Sequence, residues 1–261
     1  MKTEQELQEH VLDIINRRHV INFKTYYLSD YGEMALNIIV SEILKKFNRI
    51  DMLEVAYTTA KELILNATKA NLKRVLFAIL NLDMANDADY EKGMVTFREN
   101  LTEDKIRKYK EKFIEMDYPV ITTFYFQENV LNIKVKNNFT LLPVEETKIR
   151  QKFETAHSFA NLLDFYMEYG DNTEGAGLGL AMVGILLDNT GIDRHAFTLF
   201  SNKYNETAAK LELPLSDSYI PKRQVFEEER KNKNIPAEEY RKVFSTKVFK
   251  ESPGDCDVET E

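Results

Sequence analysis

Glu62, Asn66 and Lys69 stand four and then three residues apart in KELILNATKAN. On a helix that spacing lines up a carboxylate, an amide and an ammonium along one stripe. Such a row can position water, ligate Mg²⁺ through the amide oxygen and neutralise phosphate. A solvated helix face carries the same residue types, so the stripe alone leaves both readings open. A second feature lies in EGAGLGLAMVGILLDNTG, where Gly175, Gly177 and Gly179 alternate just before an apolar, helix-like run. The chain has only nine glycines in 261 residues, so this window concentrates them. Bare backbone at a helix start lets phosphate oxygens reach the amides. A tight turn before a buried helix would use the same residues.

Several elements must position these groups. Leu7, Val11, Leu12 and Ile15 have helical spacing over residues 3–18, and Ser29 and Asp30 can cap a second helix running to about Phe47. The third helix, from about Asp51 to Asn71, carries the stripe. Leu53, Ala56, Ala60, Leu63, Ile64 and Ala67 form most of its opposite face. RVLFAIL, residues 74–80, reads as a buried strand. A charged stretch at about 83–117 shows two helical patterns separated near Asn100 to Thr102. VITTFYFQENVLNIKVKNN then reads as a hairpin turning at Gln127 to Asn129. Another helix spans about Glu145 to Phe165, and AFTLFSN and ETAAKLELPL are two more strands. From Ser216 the sequence is charged and aperiodic, and reads as an appendage or partly disordered tail. Strands clustered as hairpins favour an α+β sandwich over a doubly wound parallel sheet.

The bulk composition narrows the function classes. With 43% apolar and 30% charged residues, the chain has the profile of a soluble globular protein. A net charge of -8 argues against non-specific nucleic-acid binding, which depends on excess positive charge. The single cysteine, Cys256, excludes an internal disulfide framework and fits a reducing compartment. No apolar run reaches the length of a membrane span and the N-terminus is no signal peptide, so a cytoplasmic location is expected.

ELILNATK (62–69) resembles the N-box of the GHKL superfamily, and GAGLGLAMV (175–183) resembles the G2 box of its kinase branch. IKVKNNFTLLPVEETKIRQKF (133–153) is similar to the strand and loop that carry the superfamily's V-x-D-N-G core. TAAKLELPL (207–215) is similar to its closing strand. The resemblance covers about 50–215. It implies a two-layer α/β sandwich (the Bergerat, histidine kinase-like ATPase fold) over 50–215, with a helical insertion at about 83–117. An N-terminal helical segment, 1–49, and a charged C-terminal tail, 216–261, lie outside it.

The resemblance also implies roles. Asn66 would ligate Mg²⁺ bridging the phosphates of ATP, and Lys69 would contact phosphate. Glu62 falls where hydrolysing members and anti-sigma serine kinases hold the carboxylate that activates the nucleophile. Gly175, Gly177 and Gly179 would wrap the phosphates, with Leu178 and Leu180 beside them as anchors in the core. Thr207 would border the adenine pocket. Two positions depart from the pattern: Asn137 stands where the adenine-recognising aspartate belongs, and Phe139 where the first glycine belongs. Asn137 can offer an amide oxygen in place of a charged one.

A phosphoacceptor histidine of the orthodox kind is followed by an acid. His10, His19, His157 and His195 are followed by Val11, Val20, Ser158 and Ala196. The expected function is therefore binding of ATP and Mg²⁺ in signal transduction, with hydrolysis or γ-phosphoryl transfer to a separate protein partner. The alternative is a non-catalytic, nucleotide-sensing or protein-binding scaffold. The two N-terminal helices can pair across a homodimer as a four-helix bundle, or simply cover the sheet.

Overall fold

The structure, a computed structural model, describes residues 2–17, 20–156, 178–237, 239–240 and 257–259. After helix α1 (Glu4–Arg17) the chain enters strand β1 (Val20–Thr25), then α2 (Asp30–Lys46) and the long α3 (Leu53–Ile79). Three helices follow, α4 (Asp87–Glu99), α5 (Glu103–Arg107) and α6 (Lys110–Glu115). The hairpin β2 (Val120–Gln127) and β3 (Val130–Asn137) leads to α7 (Pro143–Ala156). Helix α8 (Leu178–Asn189), strands β4 (Phe197–Ser201) and β5 (Thr207–Pro214), helix α9 (Lys222–Lys233) and the short β6 (Asp257–Glu259) complete the described elements.

The sheet order is β4-β5-β3-β2-β1-β6. All neighbours are antiparallel except β1 and β6, which run parallel, with Phe23 opposite Val258. Period-two alternation sets the faces. Phe23, Phe124, Phe126, Ile133 and Val135 are buried in the main core, whereas Asn22, Lys24, Thr123, Lys134 and Lys136 on the other face are only half-buried. The main core joins the sheet to α1, α2, α3 and α8. The chain is thus a mixed fold in which helices cover an antiparallel sheet, compatible with an α+β sandwich. Among the described residues no helix is long and apolar enough to cross a membrane.

Sequence expectations hold for the hairpin, the last two sheet strands and the cap of α2, where Ser29 Oγ accepts from Gly32 N at 3.2 Å. Residues 74–80 are a correction: they continue α3 and form no strand. A short apolar run fits either state, and the tertiary partner decides between them. Leu72, Val75 and Leu76, spaced for one helix face, pack on Phe97, Ile106 and Phe113 of the insertion in a second core. Gly93 of α4 makes that docking close, since a Cβ there would overlap the Phe77 ring.

Two other elements depart from the sequence reading. Between α1 and α2 the strand β1 appears, its Ile21 and Phe23 fully buried, because its partner β2 is distant in sequence. Beyond Ser216 the chain forms α9, with Phe226 and Tyr240 buried and their rings 5.4 Å apart. Glu212 of β5 ties this region down by accepting from Tyr219 Oη and Lys222 N, each at 2.8 Å. The apolar stripes of α1 and α2 (Leu7, Val11, Ile39 and Leu44) enter the core of this same chain and cover the sheet.

Candidate functional site

Helix α3 brings Glu62, Asn66 and Lys69 onto one side, and α8 crosses them at its first turn. The crossing is close: a Cβ at Gly179 would overlap the Glu62 carboxylate and stand 2.9 Å from Asn66 Nδ2. Glycine allows this approach with both polar groups in place, whereas a side chain there would have to displace them. Leu180, one residue on, is 8% exposed and belongs to the main core, so it anchors the start of α8. Leu178 opens that helix. Gly175 and Gly177 lie outside the described residues.

Polar groups at the crossing are unevenly satisfied. Among the described residues Asn66 Nδ2 is a buried atom without a hydrogen-bond partner, as are Thr59 Oγ1, Thr122 Oγ1 and Asn132 Oδ1 elsewhere. Burial raises the pKa of Glu62, opposed by the charges of Lys69 and Lys61. Burial likewise lowers that of Lys69, opposed by Glu62. Both shifts arise from partial withdrawal from water, and the two charges favour one another across Asn66. On the flank, Lys61 pairs with Glu33 of α2 at 2.6 Å. Among the described residues no group of three or more histidine, cysteine or acidic side chains is placed to hold a metal ion. Magnesium needs no such cluster, since phosphate and water oxygens complete its shell around one or two protein ligands. Asn66 suits that part: with its nitrogen buried against α8, its amide oxygen is the group a cation would use.

The positions assigned to base recognition lie further along α3 and are differently placed. Asn137, at the end of β3, is 5% exposed. Its Nδ2 donates to Ala67 O at 3.0 Å and to Asn71 Oδ1 at 2.7 Å, while Asn71 Nδ2 donates to Tyr118 O at 2.7 Å. Thr207 Oγ1 donates to Phe139 O at 2.7 Å. The Phe139 ring has the Arg74 guanidinium carbon 4.0 Å from its centroid and Tyr118 edge-on at 5.8 Å.

Sequence reasoning missed the ionic cluster behind that ring. Arg74 makes a bidentate pair with Glu145 of α7, at 2.8 and 2.5 Å, and Lys73 reaches the same carboxylate at 2.6 Å. Burial pushes the Glu145 carboxyl up, but the bonds and charges of Arg74 and Lys73 outweigh it and hold the pKa at about 2. Reading residues 74–80 as helix would have placed Asn71 and Arg74 on the face of Ala67 and exposed this cluster to view. Of the four histidines, His10 lies on α1 and His195 is exposed with Nδ1 2.6 Å from Asp193 Oδ1, while His19 and His157 lie outside the described residues.

A protein of Treponema pallidum (strain Nichols), described as an uncharacterized protein, is 27% identical over 206 residues, which is 79% of this chain and 40% of that protein. The chain therefore spans less than half the length of that relative. No protein-family model matches the chain. No solved structure matches it.

Proposed function

We propose that the chain binds ATP with Mg²⁺ where α3 meets the first turn of α8, and hydrolyses it or passes the γ-phosphoryl group to a partner protein in signal transduction. On this reading it is a GHKL-type, histidine kinase-like ATPase acting in the cytoplasm. One observation carries it: Gly179 is pressed against Glu62 and Asn66, and the Asn66 amide nitrogen is buried with no partner among the described residues. The α+β architecture and the N-box and G2 resemblance support the same reading.

Each residue has a chemical part. Asn66 offers its amide oxygen to magnesium, and Lys69 sets positive charge toward phosphate. Gly179 lets the first turn of α8 come close to Glu62 and Asn66, so that an anion held by those residues would meet the turn's backbone amides. Magnesium, when bound, neutralises phosphate charge and fixes the phosphate geometry. Glu62, made more basic by burial, takes the proton from the attacking water or partner hydroxyl as its oxygen bonds to the γ-phosphorus. The bond to the β-phosphate bridging oxygen breaks, and ADP leaves with that electron pair. Catalysis is then chiefly positioning and charge neutralisation.

The test is phosphate release and labelled phosphoryl transfer from Mg-ATP, with calorimetry alongside, on the wild type, Glu62→Gln and Asn66→Ala. Glu62→Gln should keep binding and lose turnover, and Asn66→Ala should weaken the magnesium complex. If the wild type binds no Mg-ATP, the reading is wrong. Tight binding by a wild type that turns over no more than Glu62→Gln would instead identify a nucleotide sensor.

A further inference from the structure

We propose that this site recognises the magnesium triphosphate moiety without reading the base, so that it takes nucleoside triphosphates as a class; this rests on the reading of Glu62, Asn66 and Gly179 given above. Asn137 and Thr207, which the superfamily resemblance places at the base, and Phe139, in place of the motif's first glycine, are all closed off inside the protein. Asn137 has two amide hydrogens, and both are engaged by Ala67 O and Asn71 Oδ1. The direction of this chain is fixed, because Asn71 donates to Tyr118 O and so must turn its oxygen toward Asn137. Thr207 is 7% exposed and donates to the Phe139 carbonyl. Phe139 itself is 8% exposed, with Arg74 and Tyr118 against its ring.

Backbone beyond Phe139 is closed as well. Thr140 N donates to Asn205 Oδ1 at 3.3 Å, Leu141 N to Ser201 Oγ at 3.0 Å and Leu142 N to Glu145 Oε2 at 3.1 Å. A base pocket needs an accessible apolar face and polar groups awaiting partners. At these positions the ring is covered, the Asn137 amide hydrogens and the Thr207 hydroxyl are bonded within the protein, and burial leaves all three residues less than a tenth exposed. On the phosphate side, by contrast, the Asn66 amide nitrogen has no hydrogen-bond partner among the described residues, and Gly179 lets the first turn of α8 press against it and the Glu62 carboxylate. A site that hydrogen-bonds a distinguishing group rejects analogues lacking it by roughly 10⁴-fold, whereas one that does not discriminates weakly.

Titration of the full chain, in Mg²⁺, with ATP, GTP, CTP and inorganic tripolyphosphate, and with adenosine as a competitor, tests this. The expected result is dissociation constants for the three nucleotides within about fivefold of each other, displacement of ATP by tripolyphosphate, and no competition by adenosine. Asn66→Ala should weaken all three nucleotides by the same factor. A preference for ATP over GTP and CTP of more than about 50-fold, with adenosine competing, would overturn the proposal and leave the magnesium–ATP reading standing. Failure of all four phosphate compounds to bind would overturn both.

Discussion

Two regions along α3 are treated in opposite ways by the rest of the fold. At Glu62 and Asn66, a glycine of α8 approaches a carboxylate and an amide whose nitrogen has no partner among the described residues. From Asn71 to Arg74, polar groups are saturated: an amide chain reaches Asn137 and Tyr118, and a carboxylate is gripped by two cations. Among the described residues Asn66 Nδ2 thus stands without a partner about one to two turns from groups that are fully bonded. Buried polar groups without partners raise the free energy of the folded state, and a bound ion, water or ligand is one way such a group is satisfied. The saturated region teaches the converse, since groups held by several internal bonds have little left to offer a ligand.

The largest expected effect breaks the open region. Glu62→Gln should lower phosphate release by about 10²–10⁴-fold, the usual share of a general base, with unfolding free energy and nucleotide affinity little changed. Equal turnover by both proteins in a steady-state assay would remove Glu62 from the chemistry. The saturated region should respond in stability instead. Glu145→Ala strands Arg74 and Lys73 in a buried setting and should destabilise the protein by about 3–5 kcal/mol in urea unfolding. Because the pKa of Glu145 lies below that of a free carboxylate, its stabilisation is complete above the ordinary 4.5 and is lost as pH falls toward about 2. Urea midpoints between those pH values should therefore fall more steeply in the wild type than in the variant.

Asn137→Asp is the sharpest comparison of the two regions. The superfamily pattern holds an aspartate there, so simple restoration would improve adenine binding. Here the new carboxylate oxygen would face Ala67 O and Asn71 Oδ1 in place of a donor. The variant should lose about 1–3 kcal/mol of stability and gain no preference for ATP over GTP. Tighter, adenine-selective binding at unchanged stability would show that the region is open to the base after all.

The smallest effect is in the pH profile. Phosphate release should fall in acid as Glu62 protonates, at a pH above its ordinary 4.5, and in alkali as Lys69 loses its proton, below its ordinary 10.5. A profile whose limbs coincide with the ordinary values would mean that burial does not tune these groups.

Much of this comparison could be drawn before any tertiary contact was known, and part of it could not. The stripe of Glu62, Asn66 and Lys69 follows from helical spacing, and the crowding of glycine marks a close approach somewhere. The Ser29 cap and the hairpin at Gln127 to Asn129 are equally local signals. Residues 74–80 misled because an apolar run has no period to read, and only packing on Phe97, Ile106 and Phe113 made it helix. Strand β1 stayed hidden because its partner is remote in sequence, and α9 because a highly charged helix shows little apolar stripe.

What the sequence determined by itself was therefore the set of groups and their local order: a carboxylate, an amide and an ammonium in a row, bare backbone ahead of an apolar helix, and hairpins suited to an α+β sheet. Tertiary structure alone decided which of those groups would be left without partners. Periodicity fixes which residues share a face, because that depends on dihedral angles a few residues apart. Hydrogen-bond saturation depends on elements that meet only after the chain has folded, as Asn137 meets Ala67 and Asn71, and Gly179 meets Glu62.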